Sequence, residues 1–158
     1  MIATGRYSNQ RLQLAYVDQF REILPSPTHA LTISFASKWI PTAQIQKLEL
    51  ALGAASVFMH FLNNRSFGHA HRRNGFKVGC IAVAEGMGYQ QRVHLHLSLQ
   101  KPMGMKEKCF DSAILKSLQL VNSFGDYCIK PWRDEGWSQY ITKEKDCCLL
   151  YTSPSPRD

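Results

Sequence analysis

Residues 92–102 read RVHLHLSLQKP, and the alternation in this stretch decides the fold. In an extended strand, successive side chains point to opposite faces, so Val93, Leu95, Leu97 and Leu99 share one face while His94, His96 and Ser98 share the other. The leucine face has to lie against helices. The two histidines are then expected on an open face, about 6.5 to 7 Å apart along the strand, close enough for two imidazoles to converge on one ion. Taken alone, the same pair reads as well as two surface histidines on a sheet.

Immediately upstream, residues 76–85 form a second strand-like run, and GMGYQQ (86–91) joins the two as a hairpin. If Glu85 pairs with Arg92, then Val83 faces His94 and Ile81 faces His96. Glu85 becomes a diagonal neighbour of His94, about 7 to 8 Å away between backbones, within reach of a carboxylate side chain. A slip of one residue would move Glu85 to the wrong face, and by itself it reads equally as a solvated turn residue. Two imidazoles and a carboxylate suit Mn²⁺ or Mg²⁺ with open positions for substrate oxygens more than a closed structural zinc site. Such a site offers Lewis-acid help at a phosphate.

Outward from the hairpin the chain alternates strand and helix patterns. HALTISFA (29–36) places Leu31, Ile33 and Phe35 on one face and Thr32 and Ser34 on the other. After Ile40-Pro41-Thr42 comes a helix start, with Ile45, Leu48, Leu52, Ala55, Met59 and Leu62 at helical spacing. RSFGHAHRRNG (65–75) reads as a basic loop. Residues 106–124 carry Phe110, Ile114, Leu118 and Val121 on one helical face; Gly125 stops that helix, and 126–132 form a short strand. A last helix opens at 134–136 and runs through Trp137, Tyr140, Ile141 and Lys143. The order β-α-β-β-α-β-α is that of an α+β protein with a ferredoxin-like or RRM-like antiparallel sheet, helices on one face and the active site on the other.

Composition narrows the class of partner. The chain has 158 residues, one domain's worth, with Lys and Arg at 19 against 12 for Asp and Glu and a formal charge of +7. That balance favours an anionic partner such as nucleic acid. The N-terminal sequence lacks a signal-peptide core, and the longest apolar stretch, around residues 50–59, is too short to span a bilayer, which points to a soluble, cytoplasmic protein. The five cysteines are never spaced as CxxC, which argues against structural zinc. CLLYTSPSPRD (148–158) shows no helical or strand period and matches a reading frame of a transposon-end sequencing adapter. It is read as a non-native tail, leaving 1–147 as the domain, with the natural chain expected to continue beyond about Cys147.

LTISF in the first strand, AEG followed by HLHLSL in the hairpin, and GWSQYITKE in the final helix together resemble the three successive motifs of HUH-type rolling-circle replication initiators, single-tyrosine branch. The resemblance spans residues 31–144, and its specificity lies in the ordered trio. It implies a metal-dependent endonuclease that nicks and joins single-stranded DNA, with His94, His96 and Glu85 as metal ligands. By the same resemblance Tyr140 is the nucleophile and Lys143 its helper. The implied partner is single-stranded DNA at a plasmid or phage replication origin, with host helicase and polymerase alongside. No phosphate-binding GxxxxGK[ST] motif of a helicase is present in the sequence.

The basic loop with Arg65, Arg72 and Arg73, together with Lys101 near the hairpin's end, is a candidate track for DNA phosphates, although a solvated loop accounts for the same residues. His69-Ala70-His71 repeats the HxH spacing without a strand or a carboxylate nearby. Tyr127 and Lys130 repeat YxxK in a strand, where they fall on opposite faces. Two other readings stay open: an RRM-like nucleic-acid-binding module without catalysis, and a transposase or relaxase of the HUH group.

Overall fold

The computed structural model describes residues 6–88, 90–143 and 148–152. The helices are α1 (Arg6–Ile23), α2 (Gln44–Phe67), α3 (His69–Asn74), α4 (Glu107–Gln119) and α5 (Gly136–Ile141). The strands are β1 (His29–Phe35), β2 (Gly79–Glu85), β3 (His94–Gln100), β4 (Phe124–Pro131) and β5 (Cys148–Thr152). Among the described residues they form one sheet in the order β4-β1-β3-β2-β5, every neighbouring pair antiparallel. The first four strands carry the expected α+β, ferredoxin-like arrangement, with β3 at the centre.

The leucine face behaves as the alternation requires. Leu95, Leu97 and Leu99 are buried with Leu31, Ile33 and Phe35 of β1 beneath α2 and α4. On α2 the contact is made by Ala51, Ala54, Ala55, Phe58, Met59 and Leu62, whose small residues let the helix approach the sheet closely while Phe58 fills the space between. Phe110, Ile114 and Leu118 do the same on α4. Each fully buried large side chain stabilises the fold by roughly 1.5 to 3 kcal/mol. Ile45, expected on the buried face of α2, is instead 64% exposed, because it lies in the first turn, short of the sheet.

The opposite face is not open. α1 and α5 pack against it, and Phe20, Leu24 and Ile141 meet Ile81 and Val83 in a second, smaller core. Val17, Phe20 and Leu24 are spaced by three and four residues and are all buried, a helical signal masked by the exposed Leu12 and Leu14 beside it. Arg21 of α1 and Glu135 at the start of α5 form a two-pronged ion pair that ties these helices together.

Residues 65–75 are not a loop. α2 continues to Phe67, Gly68 breaks it at φ +55°, and α3 follows. Asn63 Oδ1 accepts from the Val78 amide at 2.7 Å and His71 Nδ1 meets the Phe76 carbonyl at 2.7 Å, so side-chain bonds hold a helix that has no apolar face. The backbone of residues 148–152, whose sequence shows no strand period, pairs along the outer edge of β2 from Cys80↔Thr152 to Ala84↔Cys148. Unpaired edge amides and carbonyls accept any extended segment that reaches them, which needs no side-chain period.

Candidate metal and nucleophile site

The β2–β3 hairpin sets the site. Its register places Glu85 opposite His94, Val83 opposite His96 and Ile81 opposite Ser98. This corrects the expected pairing of Glu85 with Arg92 by two residues. An even shift preserves the face, so Glu85 still shares it with both histidines, directly across from His94 and diagonal to His96. The connection between the strands is held from inside: Lys47, buried on α2, donates from Nζ to the carbonyls of Gly88 at 2.8 Å and Gln91 at 3.1 Å. Gly86 sits at φ +81°, and a Cβ there would lie 1.8 Å from the Arg92 carbonyl oxygen, so only glycine closes this hairpin.

His96 is 3% exposed and both its ring nitrogens are engaged. Nε2 is hydrogen-bonded to Glu85 Oε1, and Nδ1 lies 3.1 Å from Thr32 Oγ1 on the neighbouring strand β1. Because a carboxylate only accepts, Nε2–H donates to Glu85 Oε1, while Nδ1 and the Thr32 hydroxyl share the second bond. Burial pushes the Glu85 carboxyl up, but the His96 hydrogen bond and the positive charge of His96, Lys143 and His94 outweigh it and hold the group below the usual carboxylate range.

α5 brings the nucleophile candidate to the same place. Ile141 is fully buried and anchors the helix, Trp137 meets the His96 ring edge-on at 5.6 Å, and Tyr140 meets it edge-on at 5.7 Å. Trp137 and Tyr140 stack at 5.9 Å. Lys143 lies two residues past the end of α5, not within it as the helical spacing suggested, yet its Nζ sits 3.9 Å from the centroid of the Tyr140 ring. His94, half-buried, stacks on His96 with ring centroids 6.5 Å apart. Glu85, His94, His96, Tyr140 and Lys143, drawn from two strands, a helix and the residues after it, are thus neighbours.

The donor set of a carboxylate and imidazoles suits a hard divalent cation. Glu85 Oε2 is buried without a hydrogen-bond partner, and a buried anionic oxygen left unpaired is costly unless a cation meets it. As placed, no group of three or more His, Cys, Asp or Glu side chains among the described residues is arranged to hold an ion; His94 stacks on His96 instead.

The candidate DNA track is not brought to this site. Gly79 pairs with Gln100, so the end of the sheet where α3 leads into β2 and where Lys101 follows β3 lies opposite the Glu85–His94 end. The distance is about 20 Å over six strand residues. Arg65 belongs to α2, which packs on the leucine face, Arg72 and Arg73 to α3, and Lys101 Nζ donates to the Met105 carbonyl. Beside Tyr140, a groove of about 640 Å³ runs over Thr32, Cys128, Lys130, Trp132 and Arg133. Register alone could have revealed Thr32 and Lys130, since Thr32 pairs with both His96 and Cys128. Tyr127, on β4, pairs with Ile33 and so belongs to the helix-covered face, away from His96.

No helix among the described residues is long and apolar enough to cross a membrane. Comparison with protein-family models, with curated proteins and with solved structures returns no match.

Proposed function

We propose that this protein nicks and rejoins single-stranded DNA through a covalent link to Tyr140, in the manner that initiates rolling-circle replication of a plasmid or phage. The observation that carries this reading is the meeting of Tyr140 and Lys143 with the His94, His96 and Glu85 group on one sheet face. These groups come from separate motifs, Tyr140 lying 44 residues beyond His96 and 55 beyond Glu85 in the chain, and a binding module without chemistry has no use for their convergence.

A free phenol has a pKa near 10, so Tyr140 needs help to attack at neutral pH. Lys143, with its charge over the Tyr140 ring, stabilises the negative charge that develops on the phosphate. The phenolic oxygen forms a bond to phosphorus as the bond to the 3′ oxygen breaks; the phenol gives up its proton and the departing oxygen takes one up as a 3′-hydroxyl. The product is a 5′-phosphotyrosine link that keeps the energy needed to rejoin the strand. Glu85, His94 and His96 would hold Mn²⁺ or Mg²⁺, which supplies Lewis-acid polarisation of a non-bridging phosphate oxygen when bound. Thr32 and Trp137 orient His96. The strand follows the groove over β1 and β4, where Lys130 and Arg133 face phosphates and Trp132 offers a stacking surface.

The test is incubation of the protein with single-stranded DNA from its own replicon and Mn²⁺, followed by denaturing electrophoresis. A covalent adduct on Tyr140, located by mass spectrometry, is expected; single-strand binding without any adduct would replace this reading with a non-catalytic RRM-like module.

A further inference from the structure

A second cavity, of about 500 Å³, opens on the face that carries His96, on the other side of residues 132–136 from the Tyr140 groove. Its floor is Ile81 and Ser98, which pair across β2 and β3, and Phe20 of α1 and Leu24 just after it form an apolar wall. Ser98 follows His96 by two residues on β3, so the cavity begins about 7 Å along the strand from the histidine. Trp132, Asp134 and Gly136 line both the cavity and the groove, which makes them one continuous surface folded around a turn.

Two residues that line this cavity carry a polar atom buried without a hydrogen-bond partner, Ser98 Oγ and Trp132 Nε1. Ser98 is only 3% exposed. Unpaired buried polar groups carry a desolvation cost that a fitting ligand removes. The indole N–H only donates, so the ligand has to present an acceptor to Trp132; the Ser98 hydroxyl takes either role. Charge excludes a phosphate as occupant: Arg21 and Glu135 at the cavity cancel each other in their ion pair, leaving Asp134 as the remaining charge. Apolar walls, an uncharged donor and a hydroxyl describe a neutral, flat, hydrogen-bonding ligand.

We propose that this cavity holds a base of the bound strand, turned out of the groove beside the scissile phosphate, and that it selects a keto base, thymine or guanine, over adenine. The inference rests on the single-stranded DNA reading of the Tyr140 site. A keto base offers an exocyclic carbonyl acceptor to the Trp132 N–H, whereas adenine presents an amino donor where thymine has O4 and guanine has O6 and leaves only its ring nitrogens to accept. A base taken into a pocket and read on its hydrogen-bonding edge needs the combination of apolar walls and few polar groups found here.

The experiment compares oligothymidylate and oligoadenylate of equal length on the full chain, by fluorescence anisotropy and by the indole N–H resonances, with Trp132 assigned from the signal that Trp132→Phe removes. The wild type is expected to prefer oligothymidylate by about tenfold, with the Trp132 resonance moving for that strand and not for oligoadenylate. Trp132→Phe, which deletes the donor, and Ser98→Ala should each shrink the preference, and Ser98→Ala should do so while leaving oligoadenylate affinity unchanged. Tight binding of oligothymidylate with an unmoved Trp132 resonance, or a preference that both variants retain, overturns the base pocket and leaves the DNA reading standing. Binding of neither strand overturns both.

Discussion

Glu85 and His96 are joined side chain to side chain across the β2–β3 ladder although neither is the other's register partner. Glu85 sits opposite His94 and reaches diagonally to the buried imidazole. The two histidines of the motif therefore have unequal structural duties, His96 held on both ring nitrogens and His94 held by neither strand neighbour.

That inequality predicts different outcomes for two alanine variants. His96→Ala leaves the Glu85 carboxylate buried without its main partner and should cost about 3 kcal/mol. His94→Ala, at a half-buried position, should cost well under 1 kcal/mol. Urea unfolding followed by tryptophan fluorescence measures both; equal losses would mean that the Glu85–His96 link does not hold the hairpin.

Glu85→Gln keeps the shape of the side chain and deletes its charge. Mn²⁺ affinity, measured by calorimetric titration, should fall by about 10- to 100-fold. An unchanged affinity would show that the buried Glu85 Oε2 is not where a cation binds.

Gly86→Ala should be among the most damaging single substitutions in the hairpin, because the added Cβ would meet the Arg92 carbonyl and alanine disfavours φ +81°. A loss of about 2 to 3 kcal/mol is expected. Gly53→Ala, on α2 with open space around its Cβ, should instead be neutral or stabilising by about 0.5 to 1 kcal/mol. Comparing the two by thermal unfolding separates backbone strain from a general intolerance of glycine replacement.

The ion pair between Arg21 and Glu135 predicts a pH dependence. The hydrogen bond from Arg21, and secondarily its charge, hold the Glu135 carboxyl below its usual range. A carboxylate with a depressed folded pKa stabilises the fold fully above its unfolded value of about 4.3, and that contribution is lost as pH falls through the folded value. The difference in Tm between the wild type and Arg21→Ala should therefore be present at neutral pH and shrink below about pH 4. A difference that persists at acid pH would assign the role of Arg21 to packing.

Tyr140→Phe deletes one hydroxyl at a position 48% exposed, so folding should be unaffected while the covalent DNA adduct disappears and single-strand binding remains. Tyr127→Phe should retain the adduct, since Tyr127 belongs to the other face of the sheet. An adduct lost in Tyr127→Phe and kept in Tyr140→Phe would reverse the assignment of the nucleophile.

The sequence by itself determined β1 to β4, the faces of their residues and the sharing of one face by Glu85, His94 and His96. Period-two alternation in LTISF and HLHLSL assigns each side chain to a face whatever the partner strand, and a register error of two residues cannot undo it. The apolar spacing in α4 is likewise local. Tertiary structure decided what depends on long-range contact. The Glu85–His96 link follows from a hairpin register set by Lys47 on a distant helix and by the tight turn at Gly86. The closure of the histidine face depends on α1, whose apolar residues gain meaning only against Ile81, Val83 and α5. The separation of Arg65, Arg72, Arg73 and Lys101 from the site is a matter of which end of the sheet each connection reaches. Charge along the chain carries no information on that, because strands of alternating direction send residues close in sequence to opposite ends of the sheet.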